Sequence, residues 1–242
     1  MGNSKNIALT QSDRRTLRGR GWLHGRPLPF ADAVLDNCML LGMERGDSAM
    51  HLGDESGGLY GLIEGWLDVL ISPGALDPTL VHVATTGWWF GDSALLTQSP
   101  KRGAHIARTP CRIAYLPAEA AGRLDRAGFE AWRNIAHISV GVIDHAFAVI
   151  AANRTQQPIQ RAALTLRILL GEGLHFAAGA ALDPPVLPIS QTEFAEIANL
   201  SRNAAGDALR HLAHSGAIRL GYRGIEIVDT AMLHERNVAL DR

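Results

Sequence analysis

The chain has 242 residues, 47% of them hydrophobic and 19% charged, with a formal net charge of −1. This is enough apolar material for one large domain or two small ones, and it excludes global disorder. Near-neutrality gives no overall pull toward nucleic acid or a membrane surface, and no apolar run approaches the roughly 20 residues of a membrane span.

The opening stretch, MGNSKNIALTQSDRRTLRGR, holds five basic residues against Asp13. It has no apolar h-region, so residues 1–21 read as a solvated, flexible basic arm and not as a secretory signal. From about residue 22 to 116 short apolar runs alternate with glycine. LYGLIEG, WLDVLIS, LVHVATTG and CRIAYLP are each bounded by turn signals, the texture of an all-β roll or barrel over residues 22–125. Within it, Trp88, Trp89 and Phe90 are expected as barrel core, with an aromatic ligand wall as the alternative. Cys38 and Cys111 stand far apart in apolar surroundings. They are expected as buried, reduced thiols of a cytoplasmic protein, and without a CxxC they cannot alone hold a zinc or an iron–sulfur cluster.

The texture changes at residue 117. Residues 117–153 contain no proline after the first position and read as helix. Ile135, Ile138, Val142, His145, Val149 and Ala152 recur at alternating spacings of three and four, a heptad-like stripe suited to pairing with a copy of itself or to lying on the β-roll. A dimerisation helix is therefore expected over 126–155, with a domain boundary in the polar RTQQP at 154–158. A helix, IQRAALTLRILLGEG, follows and ends on glycine. The segment AAGAALDPPVLP reads as loop.

The C-terminal region, 156–242, carries the clearest signal. Ser190 and Glu193 form S-x-x-E, a capping box that starts a helix with Phe194, Ile197 and Ala198 on its apolar side. Leu200 falls in a short turn, and Ser201 can cap a second helix in which Ala205, Ala208, Leu209 and Leu212 face inward and Gly216 ends the run. Two short helices, a tight turn and a shared seam make a helix-turn-helix. The following AIRLGYRGIEIVD alternates across Gly221-Tyr222-Arg223-Gly224 and reads as a hairpin, or wing. In such a motif the first turn of the second helix enters the major groove. Ser201, Arg202, Asn203, Gly206, Asp207 and Arg210 are the candidate DNA-contacting residues. Arginine can grip guanine and asparagine adenine, each through two hydrogen bonds, and Gly206 leaves room for the duplex. Residues 156–242 hold eight arginines against nine acidic residues, so non-specific affinity for phosphate is expected to be modest.

The glycine-spaced segments ERGD, HLGDES, LYGLIEGWLDV and GWWFGDSALL, the long helix and ISQTEFAEIANLSRNAAGDALRHL together resemble the Crp/Fnr family, the cAMP receptor protein and its relatives, over about residues 22–228. The resemblance implies an α+β chain with a cyclic-nucleotide-binding-type β-roll, a long dimerisation helix and a winged helix-turn-helix. It implies a homodimer on palindromic double-stranded DNA, with RNA polymerase as a further candidate partner and no membrane. Members that read TGTGA-type half-sites carry Arg, Glu and Arg where this chain has Arg202, Asn203 and Asp207, so a different half-site is expected here.

Cyclic-nucleotide-binding members carry G-E-L followed by R-[ST]-A, the glutamate taking the ribose and the arginine and hydroxyl the cyclic phosphate. The matching residues here are Gly91, Asp92 and Ser93, then Arg102, Gly103 and Ala104. They are the candidate effector residues, with Arg102 kept as an anion grip. Asp92 is shorter than glutamate, Gly103 has no hydroxyl, and the pair that contacts adenine falls on Ala146 and Phe147. No cofactor is therefore expected and no tight cAMP binding, although a cyclic nucleotide or another small effector stays open. Haem ligation would draw on His82, His105, His137 or His145 by residue type alone, and ordinary histidines are the expected reading. Catalysis is not expected: Ser93, His105 and Asp92 match no hydrolytic motif, and no G-x-S-x-G, Walker loop or HExxH occurs. The alternatives are a cAMP-responsive regulator and a regulatory module whose helix-turn-helix meets a protein.

Overall fold

The computed structural model describes residues 7–55, 57–72, 77–171 and 186–234. Two compact units divide inside the long helix, one running to Val142 and the other from Ile143.

The first unit is built on two antiparallel sheets. One joins β1 (Ile7–Ala8), β2 (Met39–Met43), β9 (Cys111–Pro117), β4 (Gly58–Glu64) and β7 (Trp89–Phe90) in that order. The other joins β3 (Ser48–Met50), β8 (Gly103–Ala107), β5 (Leu67–Ile71) and β6 (Thr79–Ala84). Strand alternation sends neighbouring aromatics to opposite faces. Trp89 packs edge-on against Trp22, its ring lying on Gly61, in a core shared with Phe30, Leu35 and Ile138. Phe90 turns instead to a second cluster with Tyr60, Leu67 and Ile113. Cys38 and Cys111 are both buried and free.

The N-terminal segment departs from the expected arm. From residue 7 it pairs as β1 with β2, and α1 (Gln11–Gly19) follows, started by a capping box in which Thr10 and Asp13 satisfy each other's backbone N–H groups. Asp13 is buried, accepts from the Thr10 backbone at 2.9 Å and hydroxyl at 2.7 Å, and takes an Arg112 guanidinium from β9 at 2.9 Å. Leu17 is fully buried one turn later. The region read as strand-like also opens on a helix, α2 (Leu28–Asp36), which buries Phe30, Ala31, Val34 and Leu35.

The single helix expected over 117–153 is broken. The helix α4 (Ala118–Leu124) runs into a wide turn over 125–129, in which Gly128 takes φ +86°, and Glu130 follows at φ +49°. Only then does α5 (Ala131–Asn153) begin, with the Asp125 carboxylate accepting from the Trp132 N–H at 3.3 Å. The stripe expected to face a partner lies largely inward: Ile135, Ile138, His145 and Ala152 are buried. The large apolar side chains left exposed are Val140, Val142, Ile143, Phe147 and Ile150. By length and composition alone α5 is the one described helix that reaches the measure of a membrane span, but it carries Asp144 and His145, and its Ile135 and Ile138 lie in the core of the first unit.

The second unit contains α6 (Pro158–Leu169), α7 (Gln191–Ile197), α8 (Arg202–His214) and a small sheet in the order β10 (Val186–Leu187), β12 (Gly224–Ile227), β11 (Ile218–Gly221). Helix α8 packs on α6 and α7.

The buried, multiply bonded Asp13 carboxylate gives a direct prediction. Asp13→Ala removes one half of the capping box and the nearer partner of Arg112, and should lower stability to urea by about 1–3 kcal/mol. The exposed Arg15→Ala on the same helix should change it by less than about 0.5 kcal/mol. Equal, small effects would mean that this segment does not hold to the sheet.

Candidate nucleic-acid interface and effector cassette

Local chemistry fixes the helix pair of the second unit. The Ser190 hydroxyl accepts from the Glu193 N–H at 3.1 Å while the Glu193 carboxylate accepts from the Ser190 N–H at 2.8 Å, so α7 starts on the expected capping box. The turn after it puts Asn199 at φ +50°, and the Leu200 N–H reaches back to the Ala195 carbonyl at 2.9 Å. Ser201 then caps α8, accepting from the Ala204 N–H at 3.2 Å. Phe194 and Ala198 from α7 meet Ala205, Ala208, Leu209 and Leu212 from α8, all essentially inaccessible, and Gly216 ends the run at φ +89°. Arg161 of α6 braces the turn: its guanidinium donates to the Asn199 carbonyl at 2.8 Å and twice to the Thr155 carbonyl, at 3.0 and 2.7 Å.

This packing leaves Ser201, Arg202, Asn203, Asp207 and Arg210 exposed together on α8; Gly206, expected on the same outward face, is instead buried, with the Arg210 guanidinium beside it. The Arg210 guanidinium donates to the Asp207 carboxylate. In the wing, Arg219 and Glu226 face each other across β11 and β12, and Arg219 bonds both carboxylate oxygens at 2.8 and 2.7 Å. Tyr222 and Arg223 form its exposed tip. Of the four arginines in α8 and the wing, two are thus ion-paired, leaving Arg202 and Arg223 without a carboxylate among the described residues.

The effector cassette of the first unit differs from expectation. Gly91 links β7 to α3 (Asp92–Thr97) at φ +96°, and a Cβ there would stand 2.5 Å from the Gly58 carbonyl oxygen, so glycine is required. Asp92 is buried, and its carboxylate accepts from the Ser139 hydroxyl of α5 at 2.5 Å. Burial pushes its pKa up. Ser93 is exposed. Arg102, expected as the anion grip, is exposed as well, and the buried cation is its neighbour Lys101. The reason is parity: Gly103, His105 and Ala107 of β8 point inward, and the same alternation carried back turns residue 101 in and residue 102 out. Lys101 Nζ lies 3.7 Å from an Asp54 carboxylate oxygen and 5.6 Å from the centre of the Tyr60 ring. Gly103 is buried with no space for a hydroxyl-bearing side chain, since its Cβ would stand 2.9 Å from the Leu70 carbonyl oxygen; Ala104 is half-buried.

Around these residues rings line the inward face. Tyr115, Tyr60, Phe90 and His105 follow one another at centroid separations of 4.9, 5.1 and 3.9 Å, and His82 meets Trp88 in a tilted contact at 4.9 Å. His105 is buried, with neither ring nitrogen hydrogen-bonded among the described residues. Burial, reinforced by Lys101, pushes its pKa down to about 3, and burial brings that of His145 down to about 4. Lys101, Asp54, Tyr60 and Ser139 escaped the sequence reading. Only the inward–outward alternation of β8 pointed to the first.

A β-roll that carries this cassette, joined to a capped, winged helix-turn-helix, defines a class of sensor-type regulators, and comparison with known proteins agrees. Residues 42–126 match the model of the cyclic nucleotide-binding domain, and residues 160–236 that of the Crp-like helix-turn-helix domain. The chain belongs to the Crp/Fnr family of transcription regulators. Among solved structures it is similar to a candidate cAMP-binding regulatory protein of Silicibacter pomeroyi DSS-3, with 20% identity, TM-score 0.66 and coverage of 93% of this chain and 97% of that one. It is also similar to FixK2 of Bradyrhizobium japonicum, with 16% identity, TM-score 0.65 and coverage of 85% and 98%. The c-di-GMP-responsive global regulator CLP of Xanthomonas campestris follows with 18% identity, TM-score 0.58 and coverage of 84% and 100%. At these identities the likeness is one of fold. Among curated protein sequences none matches the chain.

The two lowered histidine pKa values predict a pH dependence. Below the ordinary value of 6.5 the unfolded chain takes up protons that folded His105 and His145 refuse, until pH falls to about 3 and about 4. The unfolded state binds more protons in that window, so stability falls as pH falls, at up to about 1.4 kcal/mol per pH unit for each histidine. His105→Phe, which keeps a ring on Phe90, should flatten the decline between about pH 6 and 4 by roughly 1 kcal/mol per unit in denaturant melts. An unchanged slope would show His105 to be protonated in the native state.

Proposed function

We propose that the chain is a homodimeric, sequence-specific DNA-binding regulator whose β-roll does not bind cAMP tightly. One observation carries the DNA reading. Arg202 and Asn203 stand exposed on the first turn of α8, the second helix of a capped helix-turn-helix, and are residue types that match guanine and adenine edges. The proposed operator is a palindrome of two half-sites about one helical turn apart, differing from TGTGA-type sites. Pairing of two chains is supported by α5, where Val140, Ile143, Phe147 and Ile150 are exposed at spacings of three and four. The homodimer rests on this exposed stripe and not on the largely buried one read from the sequence. A cytoplasmic location, no catalytic activity and contact with RNA polymerase complete the proposal.

The weak response to cAMP rests on where the cassette's polar groups go. Asp92 is bonded to Ser139, Gly103 supplies no hydroxyl, Arg102 is exposed, and Ala146 and Phe147 offer no side-chain polar group at the positions that match the adenine contacts. Each polar ligand group left unpaired on burial costs roughly 1–3 kcal/mol, and two or three such losses remove micromolar affinity.

Selection of bound duplexes from a random pool, with and without cAMP, tests the whole. A palindromic motif is expected in both arms, and a motif seen only with the nucleotide would overturn the effector reading. Affinity for the selected duplex should fall steeply with salt; a salt-insensitive or absent interaction would favour a protein-docking module. Arg202→Ala should cost roughly 1–3 kcal/mol and relax base choice at one position in each half-site. Phe147→Glu should raise the dimer dissociation constant at least about tenfold in sedimentation, and an unaltered dimer would place the interface elsewhere.

A further inference from the structure

We propose that Asp207 and Arg210 act as one reading unit, in which Asp207 holds the Arg210 guanidinium against a guanine edge. The inference rests on the DNA-binding reading and names a determinant of the sequence that is read.

Side chains on a helix lean toward its N-terminus, so Arg210 reaches back over the preceding turn. There one of its terminal nitrogens donates to Asp207, and the other lies 3.4 Å from where a Cβ of Gly206 would be, the one atom that such a Cβ would meet within 4 Å. The backbone of Gly206 has no positive φ, so the helix itself does not require glycine at a position where glycine weakens it. A Cβ there would stand at ordinary contact distance from the guanidinium, so Arg210 lies along the helix surface directly over the buried Gly206. The pair is open to a partner, with 67% of the Arg210 side chain and 75% of the Asp207 side chain exposed. An exposed ion pair of this kind adds little to folding, so its consequence lies in where it sets the guanidinium. The charge is brought toward the half of α8 that presents Arg202 and Asn203.

Arginine carries five N–H donors in a rigid fork, and Asp207 occupies only one edge of it. The remaining donors can grip O6 and N7 of a guanine, while the second oxygen of Asp207 can accept from the amino group of a neighbouring cytosine. Asp207 also repels phosphate, so it raises discrimination at the expense of general affinity. A lone arginine would bind more DNA and distinguish less of it. Asp207 is thus a positioning residue, and its removal has opposite effects on the two quantities.

The test is duplex selection and binding with the full chain and its Arg210→Lys, Asp207→Ala and Asp207→Asn variants, all at exposed positions, with thermal melting as a check on folding. Arg210→Lys keeps the charge but not the fork, and marks the half-site position that Arg210 reads by losing its guanine preference. Asp207→Ala should lose about tenfold in preference at that same position, while its affinity for an unrelated duplex stays level or rises. Asp207→Asn, which can still accept from the guanidinium, should retain part of the preference. If the unaltered chain selects a palindrome and Asp207→Ala reads every position as before, this inference fails and the DNA reading stands. If Asp207→Ala loses affinity equally for all duplexes, the pair is no reader and the inference fails too. If the unaltered chain selects no duplex, both fail together.

Discussion

The geometry of the second unit hangs on one guanidinium. Arg161 donates to the carbonyl of Thr155 where α5 has just ended and to that of Asn199 in the turn between α7 and α8. Both carbonyls stand at chain breaks, where helical partners are missing, and hydrogen bonds to a charged donor are stronger than neutral ones. The link joins residues 38 positions apart in sequence, so the angle at which α8 leaves the turn is fixed relative to the end of α5. With Asn199 left-handed and Ser201 spent as a cap, the direction in which Arg202 and Asn203 project follows from backbone chemistry before any DNA is considered.

Charge in this unit is arranged more sparingly than the number of arginines suggests. Arg210 and Arg219 each hold a carboxylate, and Arg202 and Arg223 carry none among the described residues. Phosphate neutralisation scales with the charges actually available, so a reader built this way depends on base contacts for its affinity. The slight acidity of the region, which in the sequence argued against DNA, then becomes an argument about selectivity.

How much of this was legible in the sequence depended on how far the deciding contact lay along the chain. The helix-turn-helix was readable because caps, breakers and the inward alanines and leucines all act within a few residues. The N-terminal helix was missed because Asp13 is buried by Arg112, 99 positions away. The broken helix at Gly128 gave only a glycine as a signal, one of several that helices tolerate. The stripe on the long helix was read as facing either a partner or the β-roll, and the sequence could not choose between them for a related reason. Helix α5 is apolar on several faces, and only packing of Ile135 and Ile138 into the first unit decides which face stays outside. At the cassette the sequence offered residue types, but their inward or outward sense was set by the phase of β8, which composition does not encode.

That phase also reshapes the sensor. In the family pattern the acidic residue after Gly91 and the cation before β8 both belong to the ligand. Here the acid is bonded to Ser139 of α5, and the inward cation, Lys101, rests between Asp54 and Tyr60. Asp92 and Lys101 are matched within the first unit while Arg102 stays exposed, and the rings of Tyr115, Tyr60, Phe90 and His105 follow one another on the inward face. In this chain the acid of the cassette is tied within the first unit, to the Ser139 hydroxyl of α5, so a change in the neighbours of Asp92 bears directly on that helix.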